Sequence, residues 1–128
     1  MMTFSDFVPG ATIGSSDFAF DDAAAAAWTG LFPNDAASLP AMPSAMIAMV
    51  VMRAFMSVLP ARPPGNVHAA QKFQISRLPS LGDRLLTSIT CLGKEIKNNR
   101  NWVTLDSETL DTAGTVLFRG QMTTIWAA

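Results

Sequence analysis

The chain has little of what several common kinds of functional site require. Its 128 residues include one cysteine, Cys91, one histidine, His68, and no tyrosine. A single cysteine excludes an internal disulfide, and a single histidine excludes a histidine cluster around a metal ion. Cys91 lies in an apolar stretch, which favours a small core residue over a nucleophile. We therefore expect no metal site.

Net charge is also small, at −1, which gives no reason to expect nucleic acid as a partner. The charges are unevenly distributed, however. Residues 1–52 contain five aspartates and no lysine or arginine, whereas residues 53–100 contain eight basic and two acidic residues. Two interpretations stay open: an ordinary solvated surface, or a phosphate-bearing ligand held by basic side chains such as Arg62.

The first ten residues lack a basic region followed by an apolar run. No secretory signal is therefore indicated, and the expected location is the cytoplasm. These residues are predicted to be a loose lead-in that ends at the turn Pro9-Gly10. Because there is no internal repeat and no low-complexity linker, residues 1–128 are predicted to form a single domain that can bury a core.

The longest apolar stretch runs from Pro40 to Leu59 and contains one charge, that of Arg53. Two prolines interrupt it, and a membrane span needs about 20 apolar residues, so no membrane span is predicted. Five methionines recur in it at spacings of 4, 3, 3 and 4, namely Met42, Met46, Met49, Met52 and Met56. These spacings place them on one stripe of an α-helix. Since the other faces are apolar too, a buried helix from about residue 40 to 59 is predicted.

Shorter elements are predicted on both sides of this helix. Residues 11–20 are interpreted as a strand, and Asp21 and Asp22 as the start of a short helix over about 22–28. After Gly65 the hydrophobic period changes to two, which predicts four strands over 66–78, 84–97, 102–111 and 115–126. In the first of these, Val67, Ala69, Phe73 and Ile75 are predicted to share one face, with His68, Lys72, Gln74 and Ser76 on the other.

The tight turns between these strands imply antiparallel pairing. One antiparallel sheet with a single long helix on its apolar face is an α+β fold. A sheet that curves around this helix would explain why the helix has no polar face.

Four short stretches carry a resemblance to a known family. Residues 67–73 read VHAAQKF and residues 77–85 read RLPSLGDRL, with FDD at 20–22 and WTG at 28–30. They resemble hot-dog-fold proteins of the MaoC-like dehydratase and (R)-specific enoyl-CoA hydratase family, especially the N-terminal, often non-catalytic unit of two-unit dehydratases. The resemblance implies a curved five-stranded sheet wrapped around one long helix.

The same resemblance implies an acyl thioester as ligand, carried by CoA or by an acyl carrier, with no separate cofactor. In such proteins the acyl tail follows the helix, and the thioester carbonyl accepts hydrogen bonds at the helix N-terminus. The positions implied here are Met42, Ser44, Ala45 and Met46, with Asn34, Arg62 and Asn66 as further candidate contacts. Ser44 could instead cap the helix. Two units are expected to pair edge to edge through the strand after the helix, as a homodimer or as a heterodimer with a second hot-dog unit.

The chain departs from the family pattern in the segment before the helix. Active members carry an aspartate and a histidine there, in a glycine-aspartate-x-asparagine-proline-x-histidine motif. This chain has Leu31 after Gly30 and no histidine in that segment. Asp35 is the remaining carboxylate there, either a displaced general base or a turn residue. His68 is the second catalytic candidate, with a structural role as the alternative.

Three functions stay open on these grounds. The first is hydration of a 2-enoyl thioester through Asp35 or His68. The second is a non-catalytic hot-dog unit that binds an acyl thioester or pairs with a catalytic partner. The third is thioester hydrolysis, for which Asp35 would be the carboxylate.

Overall fold

The computed structural model describes residues 1–128. It contains two α-helices, α1 (Asp22–Leu31) and α2 (Met46–Val58), and two short 3-10 helices, Phe4–Asp6 and Pro33–Ser38. The five strands are β1 (Thr12–Ala19), β2 (Val67–Ile75), β3 (Arg84–Lys97), β4 (Arg100–Leu110) and β5 (Val116–Trp126). They form one antiparallel sheet in the order β1-β3-β4-β5-β2. The predicted α+β architecture is confirmed.

Helix α2 begins six residues later than the sequence predicts. The Met42 N–H donates to the carbonyl of Pro79 (2.8 Å), and Ala41 forms an isolated β-bridge with Ser80. Residues 41 and 42 therefore pair with the loop between β2 and β3 instead of entering the helix. Pro43 has no N–H to donate, and its carbonyl accepts from the Met46 N–H (2.9 Å) in the turn that leads into α2.

One side of α2 packs on a single face of the sheet, called here the inner face. The buried residues of the helix are Met46, Ile47, Val50, Val51, Ala54 and Phe55. Apart from Ala54, each of these side chains contributes roughly 1.5–3 kcal/mol by leaving water. The enclosure is incomplete, because Met56 is 53% exposed and Met49 and Met52 are half-buried. The methionine stripe thus runs from the core at its start to the surface at its end.

The close approach of β1 to α2 depends on Gly14. A Cβ at this position would lie 3.1 Å from Cγ1 of Val58, which is tighter than an ordinary carbon–carbon contact. The strand also changes register between Thr12 and Gly14. A side chain at Gly14 would therefore push the end of the helix away from the sheet.

Two short-range signals in the sequence correspond to the observed structure. Oδ1 of Asp21 accepts from the Ala24 N–H (2.8 Å) and so caps α1 as predicted. This helix continues to Leu31, three residues beyond the prediction. The sequence also predicts a hairpin loop over residues 98–101, because asparagine tolerates positive φ. The turn is shorter than this: Asn98 and Asn99 alone, with φ of 51° and 58°, join β3 to β4. Such a turn matches the twist of the strands it joins.

The N-terminal residues are not the loose lead-in that the sequence predicts. Phe7 is fully buried and packs edge-on against Trp126, with ring centroids 4.9 Å apart. The Phe4 N–H donates to the carbonyl of Ala128 (2.7 Å), and Nε1 of Trp126 donates to the carbonyl of Met2 (2.9 Å). The two ends of the chain therefore close one end of the core together.

Cys91 is fully buried in β3, and burial raises the pKa of its thiol. Reaction with a thiol reagent requires both access and thiolate. We expect the folded protein to resist modification at neutral pH and to react once denaturant unfolds it. The control is the new thiol of Ser57→Cys on the exposed side of α2, which should react at once. Equal rates for the two thiols in the folded state would contradict the burial of Cys91.

Candidate functional site

Asp35 lies in the 3-10 helix Pro33–Ser38, just after α1. Its Oδ2 accepts a hydrogen bond from the indole Nε1 of Trp28 (2.8 Å). The Trp28 ring in turn packs against Phe32, with centroids 4.7 Å apart. Asn34 is exposed beside it, and Leu31, where the resemblance implies an aspartate, is 76% exposed. The segment before α2 therefore holds one carboxylate, fixed by an indole.

The turn that leads into α2 leaves backbone donors free. The N–H groups of Met42 and Met46 donate to Pro79 and Pro43, and both side chains are fully buried. Those of Ser44 and Ala45 donate to no group in the chain, and both residues are exposed. The N-cap residue is Ala45, without a side-chain bond, so the prediction that Ser44 caps the helix is wrong. Two free donors thus stand at the positive end of the helix dipole.

A pocket of about 220 Å³ lies beside the second half of α2. Its wall is mostly apolar and is formed by Met52, Phe55, Met56, Arg62, Asn66, Val67, His68, Met122, Thr124 and Trp126. Three of the predicted site residues, Arg62, Asn66 and His68, therefore meet there. Asp35 does not line this pocket, so the single chain does not bring the two catalytic candidates together there.

The polar groups of this pocket are partly committed to the fold. The guanidinium of Arg62 donates to the carbonyl of Leu59 and lies over the Phe55 ring, 5.4 Å from its centroid. Oδ1 of Asn66 accepts from the Ala127 N–H (2.7 Å), while its Nδ2 is buried and has no partner. Arg62 thus binds a carbonyl at the end of α2, and the amide of Asn66 keeps an unused donor.

A bulge in β2 decides where His68 points. The register against β5 shifts between His68 and Ala70, so that His68 pairs with Thr124 and Gln71 with Met122, both buried on the inner face. In a regular strand, residues three apart lie on opposite faces; a bulge removes that alternation. Nε2 of His68 donates to Oε1 of Gln71 (3.1 Å). The prediction that His68 shares a face with Lys72 and Gln74 is therefore wrong.

Sequence reasoning missed the two side chains that hold the catalytic candidates. Trp28 lies seven residues before Asp35, and no local pattern links an indole to a carboxylate across that distance. Gln71 lies within the VHAAQKF run, yet strand periodicity places it opposite His68.

Apart from Arg62, no lysine or arginine lines the pocket beside α2. Arg77 forms an ion pair with Asp111 (2.7 Å), and Arg119 forms one with Glu108 (2.7 Å).

No group of three or more histidine, cysteine, aspartate or glutamate side chains is placed to hold a metal ion. Neither helix has the length and apolar character that crossing a membrane would require.

Comparisons with known proteins support the fold. No family model matches the chain, and no curated protein matches it significantly. A MaoC-like dehydratase from Rhodospirillum rubrum matches 100% of this chain and 99% of its own at 21% identity, with a TM-score of 0.81. The R-hydratase PhaJ1 from Pseudomonas aeruginosa matches 97% of this chain and 84% of its own at 17% identity, with a TM-score of 0.78. The HadBC 3R-hydroxyacyl-ACP dehydratase complex from Mycobacterium tuberculosis matches 92% of this chain and 96% of its own at 12% identity, with a TM-score of 0.72.

These structural likenesses show that the chain has the hot-dog fold, as the sequence predicts. The fold of the MaoC-like dehydratase extends over the whole chain, including both helices and all five strands.

The bond between Trp28 and Asp35 can be tested by a double-mutant cycle. Trp28→Phe keeps an aromatic ring and removes the donor, and Asp35→Asn removes the charge. We expect each to lower the free energy of unfolding by about 1 kcal/mol, because the half-exposed site weakens a charge-assisted bond. Urea unfolding of both single variants and the double variant gives the coupling energy. Strictly additive effects would show that the two side chains do not stabilise each other.

Proposed function

We propose that this chain is a MaoC-like hot-dog unit that binds an acyl thioester at the start of α2. The observation that carries the proposal is the pair of free, exposed N–H groups at Ser44 and Ala45. A thioester carbonyl placed there would accept two hydrogen bonds and would lie at the positive end of a 13-residue helix. The side chains of Met42 and Met46 are buried, so they contribute the floor beneath this position.

The acyl tail would follow α2 towards the apolar pocket. Met52 and Met56 lie seven and eleven residues after Ala45, which corresponds to about 10–17 Å along the helix axis. Methionine side chains adapt to occupants of different shape, and Phe55, Met122 and Trp126 complete an apolar wall. A chain of medium length or longer fits this distance.

We further propose that the isolated chain binds without turning over. General acid–base catalysis of hydration needs two groups placed around one substrate. Leu31 and Ala36 stand in the segment where the family has its aspartate and histidine, and Asp35 does not line the pocket that holds His68. Catalysis would then belong to a partner unit with an intact pair.

Hydration by this chain itself is the second candidate, and one observation favours it. The indole of Trp28 holds Asp35 in a fixed position in the segment before α2. Thioester hydrolysis would use the same carboxylate, and the products distinguish the two: hydrolysis releases free CoA, whereas hydration gives a hydroxyacyl thioester.

The partner would dock on β2, the strand at one edge of the sheet. One edge of this strand is unpaired, and it contains no proline and a single charge, Lys72. On its inner face Phe73 and Ile75 are 38% and 44% exposed. An unprotected edge of this kind favours pairing with another strand. We propose that β2 pairs with β2 of a second hot-dog unit and extends the sheet, and that the second unit also packs against this apolar face.

Binding at the start of α2 can be tested with Ser44→Pro. Ser44 follows Pro43 in a turn closed by the Met46 N–H, a position that suits proline. The substitution removes one free N–H, and Ser44→Ala is the control that keeps it. We expect Ser44→Pro to weaken binding of a medium-chain acyl-CoA about tenfold, measured by calorimetry, and Ser44→Ala to leave it unchanged.

Equal affinities for the two variants, with unchanged melting temperatures, would place the thioester elsewhere. Turnover is measured in the same samples with an enoyl-CoA and an acyl-CoA of the same length. Hydration that disappears in Asp35→Asn would overturn the non-catalytic proposal in favour of the second candidate.

The role of β2 can be tested by placing charge on its inner face. We expect Phe73→Glu/Ile75→Glu to abolish assembly, because two carboxylates would be buried without partners in the new interface. Leu92→Glu/Ile96→Glu, at exposed apolar positions on β3, is the matched control and should assemble normally. Light scattering after size exclusion measures the mass, alone and with a catalytic hot-dog protein. If the Phe73→Glu/Ile75→Glu variant assembles like the original protein, this interface is contradicted.

A further inference from the structure

Ser107 is the exception among the buried hydroxyl groups. The other three are satisfied: Thr87 and Thr109 bond to each other (2.7 Å), and Thr124 donates to the carbonyl of Val103 (2.9 Å). Ser107 lies on the inner face of β4, is 4% exposed, and its Oγ has no hydrogen-bond partner. Buried polar groups in folded proteins are nearly always paired. The side chain of Ser107 therefore calls for a partner from outside the chain.

The space around Ser107 exists because residue 120 is glycine. Gly120 pairs with Ser107 on one side and with Phe73 on the other. A Cβ at Gly120 would lie 2.5 Å from Oγ of Ser107 and 3.2 Å from Nε2 of Gln71. These two polar atoms are therefore separated by at most the sum of the two distances, about 5.7 Å. One oxygen atom can bridge such a gap with two hydrogen bonds of ordinary length.

Gln71 has a donor available for this purpose. The bulge in β2 turns its side chain to the inner face, where Oε1 accepts from His68. Nε2 of Gln71 donates to the carbonyl of Lys72 (3.2 Å). An amide nitrogen carries two hydrogens, so one remains unused.

A cavity of about 10 Å³ connects these groups with the apolar interior. Its lining comes from α2 and from every strand except β1, and consists of Val51, Phe55, Gln71, Ile89, Leu105, Asp106, Ser107 and Met122. This volume accommodates roughly one water-sized probe. Phe55 and Met122 also line the 220 Å³ pocket beside α2, so the cavity adjoins the proposed place of the acyl tail.

We propose that Gln71 and Ser107 form a buried binding site for one oxygen atom, which accepts from Nε2 of Gln71 and bonds to Oγ of Ser107. A water molecule or a hydroxyl or keto oxygen on the acyl chain of the ligand would supply this atom. The second source rests on the proposed acyl-thioester function; the first does not. In that second case, Ser107 and Gln71 select for oxygenated acyl chains.

The site itself is tested without any thioester. We expect a high-resolution crystal structure of the full chain to show one oxygen within hydrogen-bond distance of both Ser107 and Gln71. Ser107→Ala should remove this oxygen and lower the melting temperature. Ser88→Ala is the control, because Ser88 lies on β3 and on the outer face of the sheet; it should leave the oxygen and the melting temperature unchanged. An empty cavity, together with a Ser107→Ala variant at least as stable as the original protein, would overturn the proposal.

The source of the oxygen is tested with two acyl-CoA ligands of equal length, one of which carries a hydroxyl group on its chain. If the ligand supplies the atom, the protein prefers the hydroxylated form about tenfold, and Ser107→Ala abolishes the preference. If water supplies it, the preference is absent and the same oxygen density persists in the complex. Failure of both ligands to bind would refute the acyl-thioester function. The electron density of the free protein would still show whether Ser107 and Gln71 bind an oxygen atom.

Discussion

The position of α2 on the inner face of the sheet is the constraint on which the rest of the structure depends. Six buried side chains, from Met46 to Phe55, hold the helix against the sheet, and Gly14 lets its end approach β1. These contacts fix where the helix begins and how far it extends over the sheet. Its free N–H groups and the pocket beside its second half are both consequences of where it lies.

The same placement makes the two edges of the sheet unequal. α2 lies closest to β1 and β3, whereas β2 on the far side has an unpaired edge and a mostly exposed inner face. The single chain thus leaves apolar surface uncovered beside the pocket that holds His68. A second unit on β2 would cover that surface and change the environment of His68 and Gln71, which links assembly to ligand binding.

Features encoded by neighbouring residues could be predicted from the sequence. The Asp21 cap, the Asn98-Asn99 turn, and the strand pattern after Gly65 each depend on local chemistry or on periodicity. The late start of α2 could not be predicted, because the bond from Met42 to Pro79 joins segments that are distant in the chain. The burial of Phe7 against Trp126 has the same character, since it joins the two ends of the chain.

Parts of the candidate site could likewise be predicted from the sequence, and other parts could not. The residue types at the start of α2 and the missing aspartate and histidine were visible in the sequence. The orientation of His68 was not, because one extra residue in β2 reverses the face of everything before it. Ser107 and Gly120 gave no signal at all, since a serine and a glycine in strands are ordinary until the register places them side by side.

The most direct measurement is a titration of the ¹⁵N-labelled chain with a medium-chain acyl-CoA, followed through its backbone amide resonances. A carbonyl that accepts hydrogen bonds from Ser44 and Ala45 predicts the largest shifts at these two amides, with smaller ones along α2 towards Met56. Shifts confined to the outer face of the sheet, or none at any concentration, would contradict a thioester site at the start of this helix.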